Sequence, residues 1–307
     1  MTAAPRNERP AQVAGREIAE GLSMSTPAGV ATEIEPRTWA ALPAEARAAV
    51  ARSDLYRALA WAFLYPTPGS LCAALDTLSA AQSRAAEVPT HAHAAAAVDK
   101  LRSGLEALRT REVGDAVASL ARDQDDVFGH TISAECPPYE TQYGAGIIFA
   151  QAQRLADIAA FYRAFGVRVS PEARERVDHI SAELEFMSTL AFREAVAIVE
   201  ADGEHLAAVR DAEKKFLVEH LAAWSLSFAE RLARKARGAI PPDGGHLAAL
   251  ALCLEHLIRD ELRLAGVATD ELGRLEPVMS NFEPEGCGFA CGLAGEPVLA
   301  ELPGFRP

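Results

Sequence analysis

Apolar residues recur at helical spacing along most of this chain. Leu55, Leu59 and Phe63 follow one another at intervals of four residues, and Pro66 ends their run. The same spacing returns in successive segments further along, where the charged residues between them would lie on the opposite helix face. The alternating pattern of a strand is nearly absent, with residues 167–169 as the only hint. The pattern therefore predicts an all-α fold.

Breaks in this pattern divide the chain into three parts. Residues 1–43 lack a sustained apolar period, and we expect a flexible tail because they cannot bury enough surface to offset the entropy of ordering them. Residues 44–270 are expected to form a single globular multi-helix bundle, whose two helical halves are joined by a proline-rich loop within residues 129–144. Residues 271–307 contain Gly, Pro and Cys and are predicted to form a second tail.

Charge and apolar content exclude several classes of protein. The 307 residues include 30 Lys and Arg against 43 Asp and Glu, which gives a formal net charge of -13. An acidic surface repels nucleic-acid backbones and attracts cations or basic peptides. No apolar run approaches the roughly 18 residues of a membrane span, and the first residues lack the apolar stretch of a secretory signal. We expect a cytoplasmic protein with no membrane span and no nucleic-acid partner.

The segment from Asp123 to Gly144 is the most unusual stretch, because it combines acids, aromatics, a His, a Cys and a proline pair in a predicted loop. Pro137 and Pro138 fix two φ angles and stiffen this loop, so that neighbouring tyrosines are presented rather than mobile. Such a loop suits peptide recognition. It is equally consistent with an ordered connection between helices whose Pro and Gly serve turns alone.

Asp178 and His179 are neighbours near the start of a helix that is predicted to begin at Ser170. On that helix Glu175 precedes His179 by one turn and Glu183 follows it by one turn. A histidine between carboxylates can transfer protons or bind a metal, but it is also a common arrangement on surfaces and interfaces. Asp178 and His179 fall off the apolar stripe of this helix, which predicts that both are exposed.

Known catalytic and metal-binding motifs are largely absent. The chain contains no Glu-x-x-His pair for a di-iron site, no HExxH, no Walker A loop, no GxGxxG after a strand and no GxSxG, so we predict no enzyme activity and no cofactor. Cys287 and Cys291 form a C-x₃-C with glycines around both thiols, which is half of a four-ligand site. The alternatives are a reduced, Gly-rich tail that is dispensable for folding, or a metal-binding helical enzyme or sensor that uses His179, Cys287 and Cys291.

Three segments resemble the TorD/DmsD/NarJ family of redox-enzyme maturation chaperones. Residues 55–66, LYRALAWAFLYP, are similar to the family's opening helix and the proline that ends it. Residues 135–141, ECPPYET, are similar to the loop between the two helical halves of many members. Residues 175–179, ERVDH, correspond to the E-P-x-D-H signature with Arg176 in place of the proline. This replacement predicts an uninterrupted helix, because proline inside a helix costs about 3 kcal/mol.

The resemblance implies an all-helical, TorD-like chaperone that acts by binding and has no cofactor of its own. Its implied partners are an apo-molybdoenzyme catalytic subunit of the DMSO-reductase type, its twin-arginine signal peptide, or both. It would assist cofactor insertion, hold back export, and exist as a monomer or homodimer. Because tyrosines and carboxylates suit arginine, the predicted client-binding residues are Tyr139, Glu140, Tyr143, Glu175, Asp178 and His179, with Asp125 and Asp126 as secondary candidates.

Overall fold

A computed structural model describes residues 36–84, 87–109, 112–129, 135–144, 148–169, 175–239 and 245–269, together with Leu272, Leu275 and Pro277. In chain order its α-helices are α1 (Pro36–Ala41), α2 (Ala44–Ala62), α3 (Pro68–Ser83), α4 (Ala92–Arg109), α5 (Val113–Phe128), α6 (Ile148–Ala164), α7 (Ile180–Glu200), α8 (Gly203–Phe216), α9 (Ala222–Ala239) and α10 (Gly245–Leu264). Short 3₁₀ turns occupy Pro89–His91 and Glu140–Gln142, and a π-helical turn, Leu217–Leu221, joins α8 to α9.

The prediction of an all-α fold is confirmed. Within the described ranges, extended pairing is limited to two isolated β-bridges, Tyr139 with His179 and Tyr143 with Pro277. A local signal sets the start of α3, where Thr67 and Ser70 form a reciprocal capping box. None of the described helices is long and apolar enough to cross a membrane.

The two helical halves do not form separate bodies. Helix α2 of the first half packs along α7 of the second, and α10 packs against both α9 and α4. One continuous core results, which contains apolar residues from helices on both sides of the loop. Its largest fully buried side chains include Tyr56, Tyr162, Phe186, Phe216 and Trp224. The loop therefore connects helices that share a single core.

Two predicted boundaries need correction. Pro36–Ala41 is helical and Trp39 packs on a small apolar cluster at the start of α2, so order begins before residue 44. At the other end Leu272 and Leu275 pack against the main core. Residues 1–35, Cys287 and Cys291 lie outside the described residues.

The structure also changes the predicted start of the helix that follows Gly166. Helix α7 begins at Ile180 rather than near residue 170, and residues 175–179 precede it as a turn and bridge. The prediction of an uninterrupted helix through Arg176 is therefore wrong. The tyrosine hydroxyl of Tyr162 in α6 donates to the carbonyl oxygen of Val177 at 2.8 Å, which holds this non-helical segment on the core.

Candidate functional site

Residues 135–144 form a short loop that is fastened to the start of α7. The Ile180 N–H donates to the Pro138 carbonyl oxygen at 3.0 Å, and the Glu140 N–H donates to the Asp178 carbonyl oxygen at 3.0 Å. Tyr139 and His179 form the bridge between these two bonds. The two segments that resemble the family motifs are thus brought side by side.

A cleft of about 370 Å³ lies where this loop meets the ends of α2 and α5. We call it the aromatic–acid cleft. Its lining residues are Phe63, Tyr65, Gln124, Asp125, Phe128, Gly129, Pro138, Tyr139, Glu175 and His179. The lining thus combines two carboxylates with four phenyl or phenol rings and a histidine.

Three of the cleft residues contact one another directly. The Tyr139 hydroxyl donates to Glu175 Oε2 at 3.4 Å, and the Tyr139 and His179 rings meet edge-on with centroids 5.1 Å apart. Burial raises the pKa of Glu175, and burial followed by the nearby Glu175 charge raises the pKa of Tyr139 to about 12. The Tyr139 phenol therefore stays protonated and can act as a hydrogen-bond donor at neutral pH.

His179 is uncharged and serves as the N-cap of α7. Its Nδ1 accepts from the Ser181 N–H at 3.3 Å and lies 2.6 Å from the Ser181 hydroxyl oxygen. Because Nδ1 accepts, the proton of the neutral ring resides on Nε2, which is 4.0 Å from Glu175 Oε2. Burial, together with the positive charge of Arg176, lowers the pKa of His179 to about 3. His179 is buried, so the expectation that it is exposed is wrong.

Asp178 lies beneath the cleft with no solvent exposure, which also contradicts the prediction. Its Oδ2 accepts from the Thr141 N–H at 3.1 Å, from the Thr141 hydroxyl at 2.7 Å and from Arg176 Nη2 at 2.8 Å. The Arg176 guanidinium also lies 4.8 Å from the centroid of the Tyr139 ring. Arg176, the residue that departs from the family signature, therefore supplies the counter-charge of a buried carboxylate.

Glu140 and Tyr143 point into the core rather than into the cleft. Both oxygens of the Glu140 carboxylate lie 3.2 Å from His220 Nδ1, and only 1% of Glu140 is exposed. The Tyr143 hydroxyl donates to the Pro137 carbonyl oxygen at 3.0 Å, and its ring packs on Trp224 at 5.1 Å. Both side chains hold the loop in place from below.

A second buried acid, Glu183 in the first turn of α7, completes this inner layer. The Trp224 indole N–H donates to Glu183 Oε2 at 3.1 Å. Burial, followed by the neighbouring Glu140 carboxylate, raises the pKa of Glu183 well above its ordinary value. The structure thus buries Glu140 and Glu183 next to each other, with His220 against Glu140 and Trp224 against Glu183.

The predicted site residues therefore separate into two layers. Asp125, Tyr139, Glu175 and His179 line the cleft, whereas Glu140, Tyr143 and Asp178 lie below it. Asp125 and Asp126 belong to the last turns of α5 and not to the loop, and Asp126 is exposed outside the cleft lining.

Sequence reasoning missed the aromatic wall of the cleft and the partners of its inner layer. Tyr65 is 52% exposed although it follows an apolar helix, and its position off the Leu55, Leu59, Phe63 spacing was the available signal. His220 and Trp224 were not among the predicted site residues, because their roles depend on residues about 40 to 80 positions away.

A metal centre gains no support from the part of the chain that the structure describes. Within it, no group of three His, Cys, Asp or Glu side chains is arranged to hold a metal ion. Because Cys287 and Cys291 lie outside the described residues, the metal-binding alternative stays an untested prediction. Burial raises the pKa of Cys136, in the loop itself, to about 12, which makes it an unreactive thiol.

Comparisons with known proteins bear on the same region. Residues 91–230 match the nitrate reductase delta subunit family. Over 78 residues the chain is 38% identical to the chlorate reductase assembly chaperone protein of Ideonella dechloratans and to the selenate reductase assembly chaperone protein of Thauera selenatis; each match covers 25% of this chain and 39% of the relative. Chaperone protein TorD of Photobacterium profundum is 29% identical over 133 residues, covering 43% of this chain and 59% of the relative.

Over these regions the chain is similar to maturation chaperones of the TorD/NarJ type. The matched region contains the loop, the residues before α7 and the π-helical turn, and thus the cleft lining apart from Phe63 and Tyr65. The chain spans about two fifths to three fifths of the length of these curated relatives. They are named as chaperones rather than catalysts, which supports the prediction that the protein is not an enzyme. No solved structure matches the chain.

Proposed function

We propose that this protein is a cytoplasmic, system-specific chaperone of a DMSO-reductase-type molybdoenzyme. It binds the apo-enzyme, its twin-arginine signal peptide or both, assists cofactor insertion and holds back export. The observation that carries the proposal is the aromatic–acid cleft, where two carboxylates lie among aromatic rings. The names of the relatives, which are assembly chaperones of chlorate and selenate reductases, support the class of client.

The chemistry of the cleft suits a guanidinium group. Asp125 and Glu175 can accept its N–H groups, and Phe63, Tyr65 and Tyr139 offer ring faces to a delocalised cation. His179 does not oppose a cation, because it remains neutral at physiological pH. The net charge of -13 favours the encounter with a basic leader over a longer range.

A larger groove offers a place for the apolar stretch of such a leader. It has a volume of about 890 Å³ and lies between α4, α9 and α10. Its apolar lining consists of Leu108, Ala233, Ala248, Ala249 and Leu252. Helix α5 contributes Asp123 to this groove and Asp125 to the cleft, so one helix borders both surfaces. This arrangement supports recognition of the peptide as a helix in a groove.

Calorimetric titration tests the role of the cleft. The probe is a synthetic peptide with two adjacent arginines followed by an apolar stretch. We expect the double variant Asp125→Asn, Glu175→Gln to bind it at least ten-fold more weakly, because each charged hydrogen bond contributes about 1.5 to 3 kcal/mol. Asp126→Asn is the matched control, since it removes the same charge from the same helix outside the cleft.

Two further observations sharpen this test. Replacing both arginines of the peptide by lysine is expected to weaken binding, since an ammonium cannot make two parallel bonds to a carboxylate. Unchanged affinity in the double variant would remove the cleft from the proposal. Affinity purification from the native host, with mass spectrometry for a molybdoenzyme subunit and metal analysis of untagged protein, separates the chaperone from the metal-binding alternative.

A further inference from the structure

We infer that His220 is a positioning residue that holds the wall of the aromatic–acid cleft through Glu140, and that the π-helical turn Leu217–Leu221 exists to place it there. The inference rests on the proposed function, because the cleft is the proposed client site. It concerns a residue that is 80 positions from Glu140 in the chain.

The π-helical turn interrupts one continuous helical run from Gly203 to Ala239. In an α-helix a series of residues spaced by four drifts around the axis by about 40° per step, so a long series leaves the buried face. A π-helical turn winds more slowly and takes up about one extra residue, which reverses much of that drift. Such turns are uncommon and occur mostly at functional sites.

The buried residues of this run follow that four-residue series. Phe216, His220, Trp224, Phe228 and Leu232 are each exposed by 5% or less. The π-helical turn therefore lets one face of the run present His220 to the loop and Trp224 to α7 while the aromatic core continues on both sides. Phe161 and Phe216 pack on the His220 ring at 5.3 and 5.1 Å, which fixes its orientation.

The link from His220 to the cleft has two short steps. The His220 Nδ1 lies 3.2 Å from both carboxylate oxygens of Glu140. Glu140 directly follows Tyr139 in the chain. The backbone of the same loop is held from the other side by Asp178 and Ile180. Tyr139 is thus fixed between a side-chain anchor in the long helical run and backbone bonds to the start of α7.

Loss of the anchor has a local consequence. Without His220 the Glu140 carboxyl group would be buried without its hydrogen-bond partner, away from water. The least costly relaxation is for Glu140 to turn toward solvent, which moves Tyr139 and breaks the adjoining backbone bonds. A histidine that merely filled the core would lower global stability without this local effect.

The full-length protein tests the inference with His220→Phe, which keeps a ring but removes the donor, and His220→Gln, whose amide can still donate to Glu140. The matched control is His91→Phe. His91 is also fully buried, and its Nε2 lies 2.7 Å from the Glu261 carboxylate instead of the loop. The measurements are amide hydrogen exchange at Glu140 and Ile180, thermal melting and titration with the twin-arginine peptide.

We expect His220→Phe to raise exchange at both amides at least ten-fold and to weaken peptide binding at least ten-fold. His220→Gln should restore most of both, and His91→Phe should lower the melting temperature without changing either. If His220→Phe does not fold, Glu140→Gln replaces it, because a neutral amide can stay buried in the loop while losing the charged bond; faster exchange at Ile180 is then expected.

Unaltered exchange in His220→Phe, or in Glu140→Gln where that variant replaces it, or an equal rise in His91→Phe, would overturn the inference. A wild-type protein that binds no peptide would instead refute the proposed function, and the exchange data would still decide whether His220 positions the loop. The two failures are therefore distinguishable.

Discussion

At the scale of single residues, Asp178 shows how a residue of the family signature supports the site without lining it. One of its carboxylate oxygens takes three hydrogen bonds from Thr141 and Arg176, and the side chain has no solvent exposure. These bonds join residues 175–179 to the loop from within. Asp178 therefore fixes the geometry of Tyr139 and His179, which do line the cleft.

Because Asp178 is buried, its replacement should change the free energy of unfolding. An exposed Asp178, as the sequence predicted, would have little effect on it. We expect Asp178→Ala to lower the free energy of unfolding by about 2 to 3 kcal/mol, because a set of charged bonds is lost. The loss stays below that of a stranded buried charge, since Arg176 is 37% exposed and can turn to water. Urea unfolding measures the effect, and Asp126→Ala, at an exposed position, should change it by less than about 0.5 kcal/mol. Equal values for the two variants would contradict the buried arrangement.

At the scale of elements, the start of α7 depends on a histidine where a Ser, Thr, Asp or Asn is usual. His179 can cap the helix only while Nδ1 is unprotonated, and burial keeps it so by lowering its pKa from 6.5 to about 3. The helix start, the bridge to Tyr139 and one wall of the cleft therefore share a titratable group.

This cap predicts a pH dependence of stability. The unfolded chain takes up a proton at His179 below about pH 6.5, whereas the folded protein does so only near pH 3. The stabilising contribution is therefore complete above pH 6.5 and is lost as the pH falls, by up to about 1.4 kcal/mol per pH unit.

The variant His179→Asn keeps a capping acceptor and removes the titration. Between pH 6 and 4 we expect the free energy of unfolding to fall in both proteins. The slope of the wild type should exceed that of the variant by about 1.4 kcal/mol per pH unit. His246, whose pKa burial lowers to about 4, titrates in both proteins and cancels in the comparison. Parallel pH profiles from urea unfolding would refute the neutral cap.

At the scale of the whole molecule, one partly buried arginine joins both halves of the chain. Arg52 in α2 contacts Glu194 in α7 at 2.8 Å, Glu213 in α8 at 3.2 Å and Glu261 in α10 at 2.9 Å. Burial alone would raise the pKa of Glu261, but Arg52 and the His91 hydrogen bond outweigh it and lower that pKa to about 2. Burial raises the pKa of Glu213 to about 7 despite Arg52.

Removal of this arginine should destabilise the whole fold. We expect Arg52→Met to lower the free energy of unfolding by about 3 to 5 kcal/mol, because Glu194 and Glu261 would keep buried charges without their shared partner. Arg259→Met is the comparison, since Arg259 pairs with Glu255 on an exposed helix face and such a pair contributes about 0.5 kcal/mol or less. A loss of similar size in both variants would show that the Arg52 cluster is not a structural link.

The amino-acid sequence by itself determined most of the helices, because each needs only apolar residues about one turn apart and local end signals, although it placed the start of α7 too early. Leu55 and Leu59 lie in one helix and Phe63 caps its end, and the LYRALAWAFLYP, ECPPYET and ERVDH segments together carried the family resemblance. The choice of Tyr139, Glu175, His179 and Asp125 as site residues also came from sequence, and the structure brings these four to one cleft.

Tertiary structure alone decided which charged residues are buried and what they hold. Asp178 was expected to be exposed because nothing within a helical turn of it covers it, whereas its hydrogen-bond partner Thr141 comes from 37 positions away. Arg52 meets Glu194 and Glu261 across 142 and 209 positions. Helical periodicity acts over a few residues, but burial and charge pairing depend on which distant segments the shared core brings together, and no local pattern contains that information.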